Sequence, residues 1–386
     1  MLSLLCAFAA CAPQSDPQPP ALLISAKTIV VAPDLVLTDG RLLLRGGKVA
    51  AVGASVPQEV GPDVHRVDLG DATVVPGLVV AHTCLDAERD LAETVTAYTP
   101  ELRAVEAYDP YGKGVAEMLA GGVTAFGIAP RSANTLAGLA GAVKTDPRAG
   151  SVLRNESYLL AAIVPEALDQ QRFPTSRMGA LDLVRTAFRT AAGPLAAQTP
   201  DREVLRDVLS GALPFVVHAR THDEVARALD LADPARDGVL AGSGARLFLL
   251  GAGGAHRAVD RIAALAAGVV IEPLHPGLAP EALALPAALA ARKVRLAFSA
   301  GSPRELRVSA ALAVRHGLPR AAALAAMTAW PAAMLGIDDR CGTLHQGKDA
   351  DLVVFDGDPV DLGARVIAVC LQGHPVAGDP GLLARD

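Results

Sequence analysis

Side chains able to hold a metal ion or move a proton fall at a few points of the chain. His82 and Cys84 close the apolar run that begins at Val75, and His218 closes a second such run. His222, Asp223, Glu272 and His275 follow the ends of other apolar runs. Residues two apart on an extended strand point to the same side, so His82 and Cys84 share a face. Imidazole, thiolate and carboxylate can serve as divalent-cation ligands or as acid–base groups near neutral pH.

Each of these residues also has a plainer reading. Thr221 and Asp223 suit a helix start, where a side-chain oxygen receives backbone N–H groups, so His222 and Asp223 belong first to a helix terminus. His275 precedes Pro276 and Gly277, which marks an exposed loop. Glu272 is either a mouth carboxylate or a solvated loop residue. Cys84 is either a ligand or a small buried thiol. Gly251-Ala252-Gly253-Gly254 offers backbone N–H groups ahead of a turn, but His256 takes the last glycine place of G-x-G-x-x-G, and no nucleotide site follows.

The elements that would position these groups come in two textures. Residues 22–75 alternate apolar and polar positions over short runs broken by turn signals, the pattern of antiparallel strands, and residues 348–356 and 366–373 repeat it. Both ends of the chain therefore belong to one small β-sandwich, over residues 22–75 and 340–380. Between them, short apolar runs at 73–80, 123–128, 158–164, 214–217, 246–250, 269–272 and 294–298 alternate with amphipathic helical stretches. That order predicts an α/β chain with a parallel sheet closed by crossover helices, a (β/α)8 TIM barrel over residues 76–339. The interval is about 260 residues, the usual size of one such barrel, whose functional groups sit at the C-terminal ends of its strands.

With 386 residues and 51% hydrophobic content, the chain can bury a large core and a smaller satellite, which excludes wholesale disorder. A net charge of −6 without any basic run excludes a nucleic-acid partner, and 3% aromatic residues leave few platforms for base stacking. Met1 to Ala10 is a short apolar run, and Cys11 is followed by a Pro-rich polar stretch. Residues 1–21 thus read as an export segment and tether in which Cys11 takes lipid, placing the protein at the cell envelope or periplasm; a cytoplasmic chain with an unstructured terminus is the alternative. The lipid anchor would be its only contact with membrane. Five cysteines, Cys6, Cys11, Cys84, Cys341 and Cys370, are too few for a disulfide scaffold. Cys341 and Cys370 fall in the same β region and either pair or remain separate buried thiols.

Pro76-Gly77-Leu78-Val79-Val80-Ala81-His82-Thr83-Cys84 resembles the barrel entry of the amidohydrolase superfamily, Pro-Gly-Leu-(Ile/Val)-Asp-x-His-x-His, and is most similar to imidazolonepropionase-like members. The resemblance runs from about Leu22 to Val376. Supporting segments are Glu117 to Ala125, the Ser132-Ala133-Asn134 loop, Pro174 to Gly179 and Leu344 to Val354. It implies a metal-dependent hydrolase acting on cyclic amide or other non-peptide C–N bonds, with His82 and His218 as metal ligands and Cys84, as thiolate, in place of the second histidine. In the same comparison Gly251 stands where the sixth strand presents a histidine, and Gly301 where the eighth presents an aspartate that binds metal and acts as general base. A hydrolytic site needs about three protein ligands and an open water position, and loss of the base forfeits about 10² to 10⁴-fold in rate. The expectation is therefore a barrel whose metal site is largely lost. It would bind a small molecule or a partner, as a homo-oligomer or beside an active relative, with zinc or another divalent metal present only if the residual His82, His218 and Cys84 site is competent.

Overall fold

The computed structural model describes residues 21–57, 61–85, 87, 90–145, 151–193 and 198–383. Cys11 and the tether lie outside the described residues. The chain begins with β1 (Ala21–Ala32), β2 (Leu35–Arg45), β3 (Lys48–Gly53), β4 (Val64–Asp68) and β5 (Thr73–Pro76). The barrel strands are β6 (Leu78–Thr83), β7 (Val123–Ile128), β8 (Leu136–Lys144), β9 (Val152–Ala162), β10 (Phe215–Ala219), β11 (Leu247–Gly251), β12 (Gly268–Ile271) and β13 (Leu296–Phe298). The chain returns through β14 (Leu352–Phe355), β15 (Val366–Leu371) and β16 (His374–Gly378).

Both ends of the chain share one sheet, in the order β16-β15-β14-β5-β1-β2-β3, with β4 beside β1. The strands expected to form a small sandwich thus make a branched sheet, because β1 pairs with β4 over Ala21–Ser25 and with β5 over Thr28–Ile29. Alternation decides which face each residue serves. Leu352 and Val354 join Leu22, Ile24, Ile29 and Leu42 in a core belonging to this sheet, whereas Val353 and Phe355 join the core around the barrel.

The barrel sheet runs β6 to β13 in chain order. A bridge from His82 to Ser299 brings its first and last strands together. One strand departs from the all-parallel expectation: β8 pairs antiparallel with both β7 and β9. Every residue of β8 is buried, so it carries no polar–apolar alternation to announce it. Gly141 within it is required by close approach, since a Cβ there would stand 2.2 Å from Val105 Cγ1 and 2.7 Å from the Arg154 carbonyl oxygen. The run at 73–80 also divides, with β5 entering the terminal sheet and β6 the barrel.

Helices Arg177–Ala192, His222–Asp230, Val259–Leu265 and Pro280–Ala291 join successive parallel strands. Among the described residues, no helix is long and apolar enough to cross a membrane. Cys341 and Cys370 are separate buried thiols.

Candidate functional site

The tips of the barrel strands hold two polar groupings. In the first, β6 delivers His82, whose Nδ1 shares a 2.8 Å hydrogen bond with the hydroxyl of Tyr158, a fully buried residue of β9. Cys84 follows the strand end, and its thiol donates to the Pro130 carbonyl at 3.8 Å. His82 and Cys84 line one cavity of about 360 Å³ with Pro273, Ser299 and Gly301. Thr83 and Leu85 line the same cavity, and Cys84 lies beyond the end of β6, so the strand alternation does not by itself set which residues face it.

Part of the His82 ring faces that cavity, yet protein atoms enclose it, and this burial pushes the imidazole down to about 3. His218 adds in the same direction and Glu272 opposes it. A base with a depressed folded pKa favours the unfolded chain in acid, because only that chain takes up the proton. The neutral-pH stability is complete above about 6.5 and is lost as pH falls from there toward 3. His82→Gln, which can still bond Tyr158, is expected to flatten this dependence by about 2–3 kcal/mol between pH 7 and 4.5. Urea unfolding at the two pH values reads the difference; equal losses in both proteins would show that His82 is not the cause.

The second grouping forms around β10. His218 is buried, and its Nδ1 shares a 2.7 Å hydrogen bond with Ser132 Oγ. Its Nε2 stands 3.3 Å from Glu272 Oε1 without the alignment of a hydrogen bond. Arg220 donates from Nε to both oxygens of Glu272, at 3.0 and 3.2 Å, and from Nη1 to Glu166. Burial raises the Glu272 carboxyl, but the neighbouring His218 and Arg220 outweigh it and hold the group below the usual carboxylate range. The mouth thus contains a guanidinium between two carboxylates.

Helix His222–Asp230 fixes this arrangement. Thr221 Oγ1 accepts from the Glu224 N–H, and buried Glu224 in turn accepts from the Arg220 and Thr221 N–H groups and from Arg177. His222 therefore opens a capped helix, as its sequence context implies, and His275 is an exposed loop residue whose Nδ1 accepts from the Gly277 N–H. Gly254 donates its N–H to the Arg220 carbonyl, an ordinary loop contact.

The two glycines at the mouth differ. Gly251 has φ +92°, and a Cβ there would stand 3.1 Å from the Ala219 carbonyl oxygen and 3.2 Å from Glu272 Oε2. Arg220 and Glu272 occupy the surrounding space. Gly301 meets nothing closer than Glu305 Oε2 at 3.4 Å, and its N–H donates to that oxygen.

A divalent ion needs about three convergent donors. His82, Cys84, His218 and Glu272 do not place three donor atoms within 4.8 Å of one another; among the described residues that is done only by Cys341, Asp349 and Asp351. There, the Lys144 ammonium already lies 2.6 Å from Asp349 and 3.0 Å from Asp351, with Arg340 2.9 Å from Asp349. That cluster is an ion-pair network joining barrel and terminal sheet. At the mouth, Arg220 supplies the positive charge facing Glu272. Neither arrangement of donors fits a divalent ion.

Sequence reasoning missed Tyr158, Ser132, Arg220 and Glu166 as members of the mouth. Arg220, two residues beyond His218, carried the one local signal, because alternate residues at a strand tip share a side.

Together these features define an amidohydrolase-type barrel attached to a β-sheet made from both ends of the chain. Residues 290–377 match the amidohydrolase family. A curated relative, amidohydrolase tasK of Hapsidospora irregularis, is 41% identical over 78 residues, which cover 20% of this chain and 8% of that protein. The chain therefore matches only a small part of that relative's length. An amidohydrolase from Thermotoga maritima superposes with a TM-score of 0.79 at 25% identity, covering 92% of this chain and 99% of that one. A β-aspartyl dipeptidase from Fervidobacterium islandicum, in complex with a β-Asp-Leu dipeptide, has the same fold, with a TM-score of 0.59 at 15% identity over 94% of this chain and 98% of its own. The chain belongs to the amidohydrolase superfamily.

Proposed function

We propose that this chain is a ligand- or partner-binding member of the superfamily whose metal chemistry is largely lost. The observation that carries the reading is the Arg220 guanidinium bonded to both Glu272 oxygens beside His218. A fixed cation there neutralises the carboxylate that a metal would otherwise need. Glycines at 251 and 301 contribute no donor, so general-base assistance worth about 10² to 10⁴-fold has no carboxylate on the eighth strand tip to supply it. His82 and His218 persist as hydrogen-bonded groups, and Cys84 as a weakly bonded thiol.

A second reading is metal-dependent hydrolysis of non-peptide, cyclic-amide C–N bonds. It is favoured by the buried Nε2 of His218, which has no hydrogen-bond partner and faces a carboxylate. Zinc analysis of protein purified without chelator separates the two. Well under one equivalent of metal is expected, with no turnover of cyclic amides. Stoichiometric zinc that disappears in both His82→Ala and Cys84→Ala would establish the second reading instead.

A further inference from the structure

At the opposite end of the barrel from His82 and His218, a cavity of about 150 Å³ opens where β11, β12 and β13 begin. Helix Ala329–Leu335 covers it, contributing Trp330 and Met334, and Phe248 and Val269 complete the apolar walls. Two guanidinium groups, Arg246 and Arg295, line the same cavity, and no carboxylate does. Among the described residues the Arg246 guanidinium donates only to backbone carbonyls, those of Gly211 at 3.1 Å and Ala212 at 3.4 Å. Among the described residues the Arg295 guanidinium has no ion-pair or hydrogen-bond partner, although its backbone carbonyl accepts from the Val269 N–H.

These features constrain an occupant in size, shape and charge. A volume of about 150 Å³ with mostly apolar walls is large enough for one benzene-sized ring. Trp330 and Phe248 offer aromatic surfaces against which a flat ring packs edge-to-face or offset. Two uncompensated cations beside an apolar cavity, in a chain of net charge −6, select an anion over a cation. A planar guanidinium pairs best with a carboxylate, which it can engage through two parallel N–H groups.

We infer that this cavity, lined by Phe248, Trp330, Met334, Arg246 and Arg295, binds a small aromatic carboxylate, its ring among the apolar side chains and its carboxylate against the two arginines. The site is remote from the barrel mouth and does not depend on whether the mouth binds metal.

Trp330 is the only tryptophan in the chain, so its fluorescence reports on this cavity alone. Titration of the full chain with phenylacetate is expected to give a saturable change in Trp330 emission at millimolar concentration or below, while phenethylamine, of the same ring and opposite charge, gives none. Arg295→Gln, an exposed substitution, is expected to weaken phenylacetate binding roughly tenfold, the loss of one charge-assisted hydrogen bond. Calorimetry of the same variant confirms the change without relying on the fluorophore, and unfolding midpoints verify that it remains folded. His82→Ala is expected to leave the titration unaltered. No saturable change with phenylacetate, an equal response to the amine, or undiminished affinity in Arg295→Gln would overturn the assignment.

Discussion

Lys144→Met is expected to destabilise the protein by about 3–5 kcal/mol, the usual cost of removing one partner from a buried ion pair. Lys144 lies on β8 and is 3% exposed; its partners Asp349 and Asp351, just ahead of β14, are 1% and 3% exposed. Without the ammonium, Asp351 keeps the Gln372 N–H at 2.9 Å and the Cys341 thiol at 3.7 Å, neither of which carries charge. Asp349 keeps Lys48 and Arg340. The greater cost therefore falls on Asp351. Acid titration is a poor test of this network because its carboxylates shift in opposite directions. Burial raises Asp351 despite Lys144, whereas for Asp349 the effect of burial is overcome by Lys144, Lys48 and Arg340, which hold it at about 2. Asp349 favours the fold above its unfolded value and loses that contribution as pH falls toward 2, while Asp351 opposes folding once ionised. Mutation avoids this cancellation. Urea unfolding of Lys144→Met should show the loss, and adding Asp351→Asn should recover much of it by removing the stranded charge. A single variant within about 1 kcal/mol of the parent would mean that the network contributes little to joining barrel and sheet.

The two mouth glycines should respond oppositely to the residues that the family comparison puts there. Gly251→His places a side chain at φ +92° and pushes Cβ against the Ala219 carbonyl and Glu272. Backbone strain of this kind costs about 1–3 kcal/mol, and displacing the Arg220–Glu272 pair adds to it. Gly301→Asp meets no such obstacle and is expected to stay within about 0.5 kcal/mol of the parent, as exposed substitutions usually do. Thermal or urea unfolding of the two single variants distinguishes them. Equal stability would show that Gly251 is not locked by its neighbours, and the sixth strand tip could then readily regain an imidazole.

Much of the frame was legible in the chain because its signals are local. Alternation through Leu22, Ile24 and Ala26, repeated by Leu352 and Val354, marks strands with one apolar face, and these residues meet in one core. The apolar run ending at His82 reads as a strand tip, and Thr221 with Asp223 reads as a helix start, which the structure completes through Glu224 rather than Asp223. The strand β8 was not legible. Its nine residues are all buried, so burial on both faces erased the period-two pattern that distinguishes a strand.

By itself the sequence determined most of the strands, β8 excepted, that both ends share one β region, and which strand tips carry imidazole or glycine. These follow from hydrophobic periodicity and the chemistry of neighbouring residues. Only the tertiary structure decided what those tips touch. Arg220 meets Glu272 across 52 residues, His82 meets Tyr158 across 76, and Lys144 meets Asp349 across 205. Such partners are brought together by barrel closure and the docking of the terminal sheet, and no local period along the chain records them.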